Sequence, residues 1–240
     1  MVTFPAYGRI DQPGSFGTMS IVGPDLVSVR AAAAEFPGTW ADRSSATLIR
    51  VTAPRIDPAL AGHRQALLRW LNAWGCRLRY PVAGEPDLFD TGVAAWWSRW
   101  HNGLPAAQIQ LGELDDNAIL QAAQAYAELA ATPAVPGRRP RSLGPTAAAK
   151  MLHALRPDAL MPWDRAIAQR LHGSRDAAAY AAHQRLGRRW ARQLMAEAGV
   201  PLAELPAVLG RPGRPVAKLL DDYCYLVCTR ESTGDRAARG

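Results

Sequence analysis

The sequence predicts an all-α fold, a bundle of amphipathic helices that follows an irregular N-terminal extension. Apolar residues recur at helical spacing in several segments after residue 57, and short breaks containing Gly or Pro separate these segments. The alternation of strands and helices that is typical of a parallel sheet is not visible. We therefore divide the 240 residues into the extension (1–56), a helical domain (57–230) and a flexible tail (231–240).

The extension is rich in Gly, Pro and Ser and lacks a helical period. Its best-defined element is predicted to be a short strand at 46–52. Three roles for this segment stay open: it completes the core, it covers a pocket, or it does neither.

Three helices are predicted in the first half of the helical domain. The first begins at the capping pair Asp57-Pro58 and ends at Gly75. The second follows Asp90, and its apolar face carries Val93, Trp96, Trp97 and Trp100. We interpret these tryptophans as core residues, with a base-stacking surface as the alternative. The third helix is predicted at 116–131.

A loop is predicted at 132–141, because its prolines exclude a helix or a central strand. Its arginines, Arg138, Arg139 and Arg141, either contact phosphate or belong to a solvated linker. Further helices are predicted to start at Gly144 and Asp164 and to span 175–198 and 216–229. The third of these has an arginine face that is either a phosphate-contacting stripe or a solvated surface: Arg185, Arg188, Arg189 and Arg192. Asp221-Asp222, in the last helix, is expected to cap or to pair with an arginine.

The formal net charge is +7 and the sequence pI is about 9.8, which favours a polyanionic partner. Nearly all of the positive charge is arginine, since Lys150 and Lys218 are the only lysines. This bias suits phosphate recognition, and it is equally typical of proteins from GC-rich genomes.

Composition also excludes several classes of protein. Three cysteines are too few for a disulfide framework, and Cys224 and Cys228 lack the neighbouring ligands of a metal site. No apolar run is long enough to cross a bilayer, and the N-terminus lacks the features of a secretory signal. We expect a cytoplasmic protein without a cofactor and without membrane contact, associated with the nucleoid if it binds DNA.

The most informative part of the chain is a pair of predicted helices around Asp164. Residues 142–153 contain a Gly-led helix start followed by an apolar helix, and residues 161–167 place a carboxylate at the head of the next helix. Asp164 follows Gly144 by 20 positions. Across residues 140–172, this arrangement resembles the helix-hairpin-helix DNA glycosylase superfamily.

The resemblance implies a two-lobed helical bundle that binds DNA. It also implies that Asp164 attacks the bond between base and sugar, and that the turn at Gly144 holds a DNA phosphate. Backbone N–H groups at a helix start and nearby basic side chains are suited to that contact. The residues assigned to phosphate binding are Ser142, Gly144, Thr146, Lys150, Arg138, Arg139, Arg141, Arg185 and Arg189.

The chain departs from the family pattern at several positions. Bifunctional members carry a lysine nucleophile two positions after the glycine, whereas this chain has Thr146, so the resemblance implies a monofunctional enzyme. Some members hold an iron–sulfur cluster on four cysteines, which a chain with three cysteines cannot supply. Ser142-Leu143-Gly144 replaces the usual pair of glycines, and the loop at 132–141 replaces a short leading helix. The last two departures concern the anchoring of DNA.

The expected chemistry needs little besides a carboxylate. A negative charge near C1′ stabilises the oxocarbenium character that develops as the base departs, and it orients water. Trp163 is predicted to line the substrate pocket, and His153 to meet a phosphate or to act as an acid. The alternatives are structural: Asp164 as a helix N-cap worth on the order of 1 kcal/mol, and His153 as a residue of the surface or the core edge.

These observations lead to a functional hypothesis with two alternatives. The hypothesis is a monofunctional N-glycosylase, a hydrolase that removes a modified base from DNA, as in DNA repair. The first alternative is a non-catalytic nucleic-acid-binding module on the same scaffold. The second is an N-glycosidase that acts on a small nucleoside or nucleotide.

Overall fold

The structure, a computed structural model, describes residues 23–36 and 40–237, so part of the predicted extension and the end of the predicted tail lie outside the described residues. Within these ranges the chain is mostly helical, which confirms the predicted class. No helix there is both long and apolar enough to cross a membrane. The elements are α1 (Leu26–Ala34), α2 (Trp40–Val51), α3 (Ala61–Ala73), α4 (Leu88–Trp100), α5 (Asp116–Ala131), β1 (Pro133–Val135), β2 (Arg141–Ser142), α6 (Pro145–Leu155), α7 (Arg165–His172), α8 (Ala177–Ala198), α9 (Leu205–Val208) and α10 (Val216–Ala237).

The described part of the N-terminal extension is helical, which corrects two predictions. The strand predicted at 46–52 is wrong, because residues 46–51 belong to α2 and only Thr52 follows the helix end. Leu48 of α2 is buried, and α2 packs against α3, so tertiary contacts outweigh the local preference of the segment for a strand. The prediction of irregular structure is also wrong for α1, which Asp25 caps and which packs against α10.

The tryptophans of α4 pack inside the molecule, as the core interpretation predicted. Trp96 is 1 % exposed, and its Nε1 donates to the carbonyl of Ala125 at 2.8 Å. Trp100 donates through Nε1 to Glu128, again at 2.8 Å. The helix begins at Leu88, slightly before its predicted start, because Asp87 rather than Asp90 is the N-cap.

The segment predicted as a loop contains a short antiparallel hairpin, in which β1 pairs with β2 across an irregular register. The edge position of β1 explains why Pro133 is tolerated there. Beyond β2, the amide N–H groups of Leu143 and Gly144 donate to the carbonyls of Thr132 and Ala130 at 2.8 and 3.0 Å. The start of α6 is therefore tied to the end of α5.

The two helices around the Asp164 segment begin where the sequence predicts. Gly144 is the N-cap of α6 with φ 83°, a conformation that favours glycine, and Asp164 is the N-cap of α7. The last helix, α10, continues to Ala237, beyond its predicted end at 229. Helix α5 packs against α6 and α8, and α10 packs against α1 and α7. The segment 156–164, which joins α6 to α7, passes over α8.

Candidate active site

Asp164 lies in a cleft of about 460 Å³, which we call the Asp164 cleft. Its volume is within the range of small-molecule sites. Residues from the end of α3, from α6, from the start of α7 and from α10 line it. Those that matter for its chemistry are Trp74, Lys150, Asp164, Lys218, Asp221 and Asp222.

Helix α8 holds the backbone that leads into Asp164. The side-chain amide of Gln184 accepts from the N–H of Met161 at 2.8 Å and donates to its carbonyl at 2.9 Å. The next carbonyl, that of Pro162, accepts from Nε2 of His183 at 3.0 Å. Both side chains of α8 are fully buried, so these bonds fix the position of the carboxylate from behind the cleft. Sequence reasoning missed both residues.

The bond to Pro162 also fixes the proton positions of a histidine pair. Because a carbonyl can only accept, Nε2 of His183 carries the hydrogen, and its Nδ1 accepts from Nε2 of His172 at 3.1 Å. Burial lowers the pKa of His183 to about 3, with a further contribution from His172, and burial lowers the pKa of His172 to about 4. Both rings are therefore neutral at pH 7.

Trp163 is too deeply buried to form an exposed wall of the substrate pocket. It borders the Asp164 cleft, but its side chain is only 1 % exposed and packs in an aromatic–histidine cluster. Ring centroids within this cluster lie 5.1 to 5.8 Å from that of Trp163, and its other members are Tyr126, Tyr180, His172 and His183. The aromatic surface that a bound molecule can reach comes instead from Trp74 and from the Phe36–Tyr225 pair at the rim.

The two carboxylate oxygens of Asp164 differ in their hydrogen bonding. Its Oδ1 accepts from the N–H of Ile167 at 2.9 Å, so the carboxylate is the N-cap of α7. Its Oδ2 accepts no hydrogen bond from any residue within 23–36 and 40–237. The side chain is half-buried at the edge of the cleft. The cap and a catalytic role are therefore compatible, because they use different oxygens.

A network of charged side chains fills the α10 side of the Asp164 cleft. Nζ of Lys218 lies 2.7 Å from Oδ2 of Asp221 and 2.5 Å from Oδ1 of Asp222. Arg214 donates to the other oxygen of Asp222 at 2.7 and 3.0 Å, which confirms the expected arginine pairing. The i, i+3, i+4 spacing from Lys218 is the sequence signal that could have identified the network.

Trp74 forms the opposite wall beside two ammonium groups. Nζ of Lys150 lies 5.4 Å from the ring centroid and donates to the Trp74 carbonyl at 2.7 Å. Nζ of Lys218 lies 5.3 Å from the same ring centroid. Both distances fall within the range of cation–π attraction. Lys150 was predicted to contact phosphate, and it lines the same cleft as Asp164.

His153 does not line the Asp164 cleft, which corrects its assignment to the substrate pocket. It is 6 % exposed, and its Nδ1 bonds to the carbonyl of Leu160 at 2.9 Å. Burial lowers its pKa to about 4, so the ring is neutral at pH 7. It contributes instead to an adjoining cleft of about 450 Å³, which shares Trp74, Arg214 and Lys218 with the first.

The residues assigned to phosphate binding fall into separate groups. Ser142 is exposed at the hairpin and Thr146 is half-buried in α6. The hairpin arginines are exposed as well: Arg138, Arg139 and Arg141. The amide of Gly144 is already bonded within the protein, as described above. The Gly144 turn therefore offers fewer free amides than the predicted phosphate site requires.

The arginine face of α8 makes mostly intramolecular contacts. Arg185 and Arg188 bond to Asp116 at 3.3 and 2.9 Å. Arg192 donates to the carbonyl of Gly112 at 2.7 Å. Arg189 is exposed between them. These contacts attach the start of α5 and the preceding Gly112 to α8, so Arg189 is the member of this face that is best placed for an external partner.

Among the residues with described side chains, no group of three or more His, Cys, Asp or Glu side chains is arranged to hold a metal ion. Comparisons of the chain with protein-family models, with curated proteins and with solved structures find no match.

Proposed function

We propose that this protein is a monofunctional N-glycosidase that removes a modified base from DNA, with Asp164 as the catalytic carboxylate. One observation carries the proposal: Asp164 borders a cleft of ligand size with one oxygen committed to the cap of α7 and the other open. The resemblance to the helix-hairpin-helix glycosylases, including their two-lobed architecture, supports the same assignment.

The chemistry follows from the position of the charge. As the bond from C1′ to the base nitrogen breaks, positive charge develops on the sugar, and Oδ2 of Asp164 stabilises it and orients the attacking water. A base that has left the stack can rest against Trp74, since stacking on an aromatic ring tolerates many bases. The ammonium group of Lys150 beside that ring favours a substrate that carries phosphate, whereas Lys218 is already paired with Asp221 and Asp222.

DNA as the substrate is supported by the exposed arginines of the hairpin between β1 and β2. Helix α6 connects this hairpin to the cleft: Lys150 follows Gly144 by six positions, a rise of about 9 Å along the helix. A phosphate contact at Arg138, Arg139 or Arg141 would therefore lie before the N-terminal end of the helix whose Lys150 lines the cleft.

A second candidate substrate is a small nucleoside or nucleotide. The observation that favours it is the use of the Leu143 and Gly144 amides in bonds to Thr132 and Ala130. Those amides cannot also hold a DNA phosphate without losing these bonds. A small substrate needs only the cleft and does not depend on the turn.

Release of free base, detected by mass spectrometry, tests the proposal. The protein is incubated with alkylated, deaminated and oxidised duplexes and with a nucleoside mixture. We expect Asp164→Asn to reduce release by about 10²- to 10³-fold, because it removes the charge from the reacting centre. Asp176→Asn is the matched control, since Asp176 caps α8 in the same way and does not line the cleft. Equal activity of Asp164→Asn and wild type would refute the catalytic role.

The same experiment separates the three hypotheses when it is combined with DNA binding. A DNA glycosylase releases base from duplexes, and replacing Arg138, Arg139 and Arg141 with Gln weakens binding and reduces its salt dependence. A nucleoside hydrolase releases base from nucleosides and is insensitive to this triple substitution. A binding module binds DNA, releases no base, and binds equally well with Asp164→Asn.

A further inference from the structure

A second carboxyl group, Asp221 of α10, lines the Asp164 cleft. Its residue is 9 % exposed, so the carboxyl is close to the cleft surface and largely removed from bulk water. Its Oδ2 accepts from Lys218, and its Oδ1 has no hydrogen bond to a residue in the described part of the chain. Asp164 and Asp221 line the same cleft.

Asp221 shares the cation that it contacts with a second carboxylate. Arg214 and Lys218 both contact Asp222, so this residue holds two cations. Asp221 shares only the second of them and lines the same cleft as Asp164. Lys150, from α6, donates to the carbonyl of Trp74 and forms no ion pair with these carboxylates. Asp221 therefore shares its one cation with Asp222, whereas Asp164 contacts neither cation and is stabilised by the Ile167 N–H at the start of α7.

Burial and the neighbouring charges shift the pKa of Asp221 in opposing directions, with a net rise. Burial raises the pKa of Asp221, Lys218 partly offsets this effect, and the negative charges of Asp222 and Asp164 raise it further. Cys224, on the same helix, is a buried thiol whose own pKa is raised by burial, so it adds no charge at neutral pH. Two carboxyl groups whose environments differ in this way suit an acid and a base in one reaction.

We propose that Asp221 is the general acid of this site: it donates its proton to the departing base while Asp164 stabilises the sugar. This assignment rests on the proposed function. The bond from C1′ to the base nitrogen breaks, its electron pair stays on the nitrogen, and the proton of Asp221 neutralises that nitrogen. Water adds to C1′ and loses a proton to Asp164, which passes it to solvent. Asp221 regains a proton from solvent, so the reaction is a hydrolysis.

A general acid at Asp221 should affect neutral and cationic bases differently. A neutral base such as uracil or hypoxanthine departs as an anion unless it is protonated, so it depends on a general acid. The cationic base 7-methylguanine departs as a neutral molecule and needs no proton. Removal of Asp221 should therefore affect the first kind of substrate and spare the second, whereas removal of Asp164 should affect both.

The test compares wild type, Asp221→Asn and Asp164→Asn on duplexes that contain uracil, hypoxanthine or 7-methylguanine, with spontaneous release subtracted. We expect Asp221→Asn to slow release of the neutral bases by about 10²-fold and to change release of 7-methylguanine by less than about threefold. Equal losses on both kinds of base, or no loss on either, would overturn the assignment. So would a wild-type enzyme that releases 7-methylguanine alone.

The pH profile of wild type gives a second readout that does not require the variant to fold. Release of a neutral base should fall with rising pH as Asp221 loses its proton, and release of 7-methylguanine should lack this limb. A neutral-base profile that is flat at high pH would exclude Asp221 as the acid. Failure of the proposed function looks different: wild type releases no base, or Asp164→Asn releases as much as wild type.

Discussion

The segment from Pro162 to Asp164 separates two regions that differ in the charge of their polar side chains. In front of it, the Asp164 cleft gathers charged side chains, including Lys218, Asp221 and Asp222. Behind it, the aromatic–histidine cluster contains only groups that are neutral at pH 7, and burial keeps His183 neutral. The two regions therefore differ in charge, with paired ions on the cleft side and neutral rings on the other, and Asp164 lies at the boundary.

The largest expected difference between the two regions is in packing energy. Trp163 is 1 % exposed within the cluster, so Trp163→Ala should lower the free energy of unfolding by about 3–5 kcal/mol. Trp74 is half-buried at the cleft, and Trp74→Ala should lower it by less than half as much. Urea unfolding measures both variants. Equal losses would mean that the cluster is not the better-packed region.

Acid should destabilise the protein through the buried histidines. The fold lowers the pKa of His183 to about 3, so below about pH 6.5 the unfolded chain binds a proton that the folded chain does not. Stability is then lost as pH falls from 6.5 towards that value, by about 2 kcal/mol at pH 5. Asp221, whose pKa the fold raises, acts in the opposite sense, because the folded chain holds a proton there at pH values above the unfolded pKa, and its contribution to stability grows as pH falls.

Unfolding at pH 7 and pH 5 isolates this effect when wild type is compared with His183→Asn. The variant should lose about 2 kcal/mol less between the two pH values than wild type does. His101→Asn is the control, because His101 is an exposed residue that follows the end of α4 and lies outside the aromatic–histidine cluster. If the stability of His183→Asn depends on pH as that of wild type does, protonation of His183 is not the cause of the loss of stability in acid.

At the boundary itself, the cap of α7 predicts a smaller effect that depends on hydrogen bonding and not on charge. Asp164→Ala should lower the free energy of unfolding by about 1 kcal/mol, since it removes the acceptor for the Ile167 amide. Asp164→Asn keeps an acceptor and should be close to wild type. If Asn proves as destabilising as Ala in thermal unfolding, the carboxylate has a structural role beyond the cap.

The smallest effect is expected at two stacked tyrosines of the cluster, whose rings lie 4.2 Å apart. The hydroxyl of Tyr126 donates to the carbonyl of Arg175 at 2.6 Å, so Tyr126→Phe should cost about 1 kcal/mol. The buried hydroxyl of Tyr180 has no partner among the described residues, so Tyr180→Phe should be neutral or slightly stabilising. A loss of stability in Tyr180→Phe would indicate a partner such as a buried water.

Local signals account for the elements that sequence reasoning placed correctly. The predicted bounds of α5 match the structure, and Gly144 and Asp164 start their helices as expected. Caps and glycine turns act within a few residues, so a short stretch of sequence contains the relevant contacts. The strand predicted at 46–52 failed for the opposite reason, because burial of Leu48 against α3 depends on residues outside that stretch.

The sequence by itself determined the helical class, the start of α7 and the place of one carboxylate at that start. Only the tertiary structure decided which side chains meet Asp164. Trp74 comes from the end of α3 and Asp221 from α10, and neither is near Asp164 in the chain. It also decided that Trp163 faces the core and that three arginines of α8 bind their own protein. These outcomes depend on how the helices pack. Packing brings together residues that are far apart in the sequence, so the sequence spacing does not predict which of them are in contact.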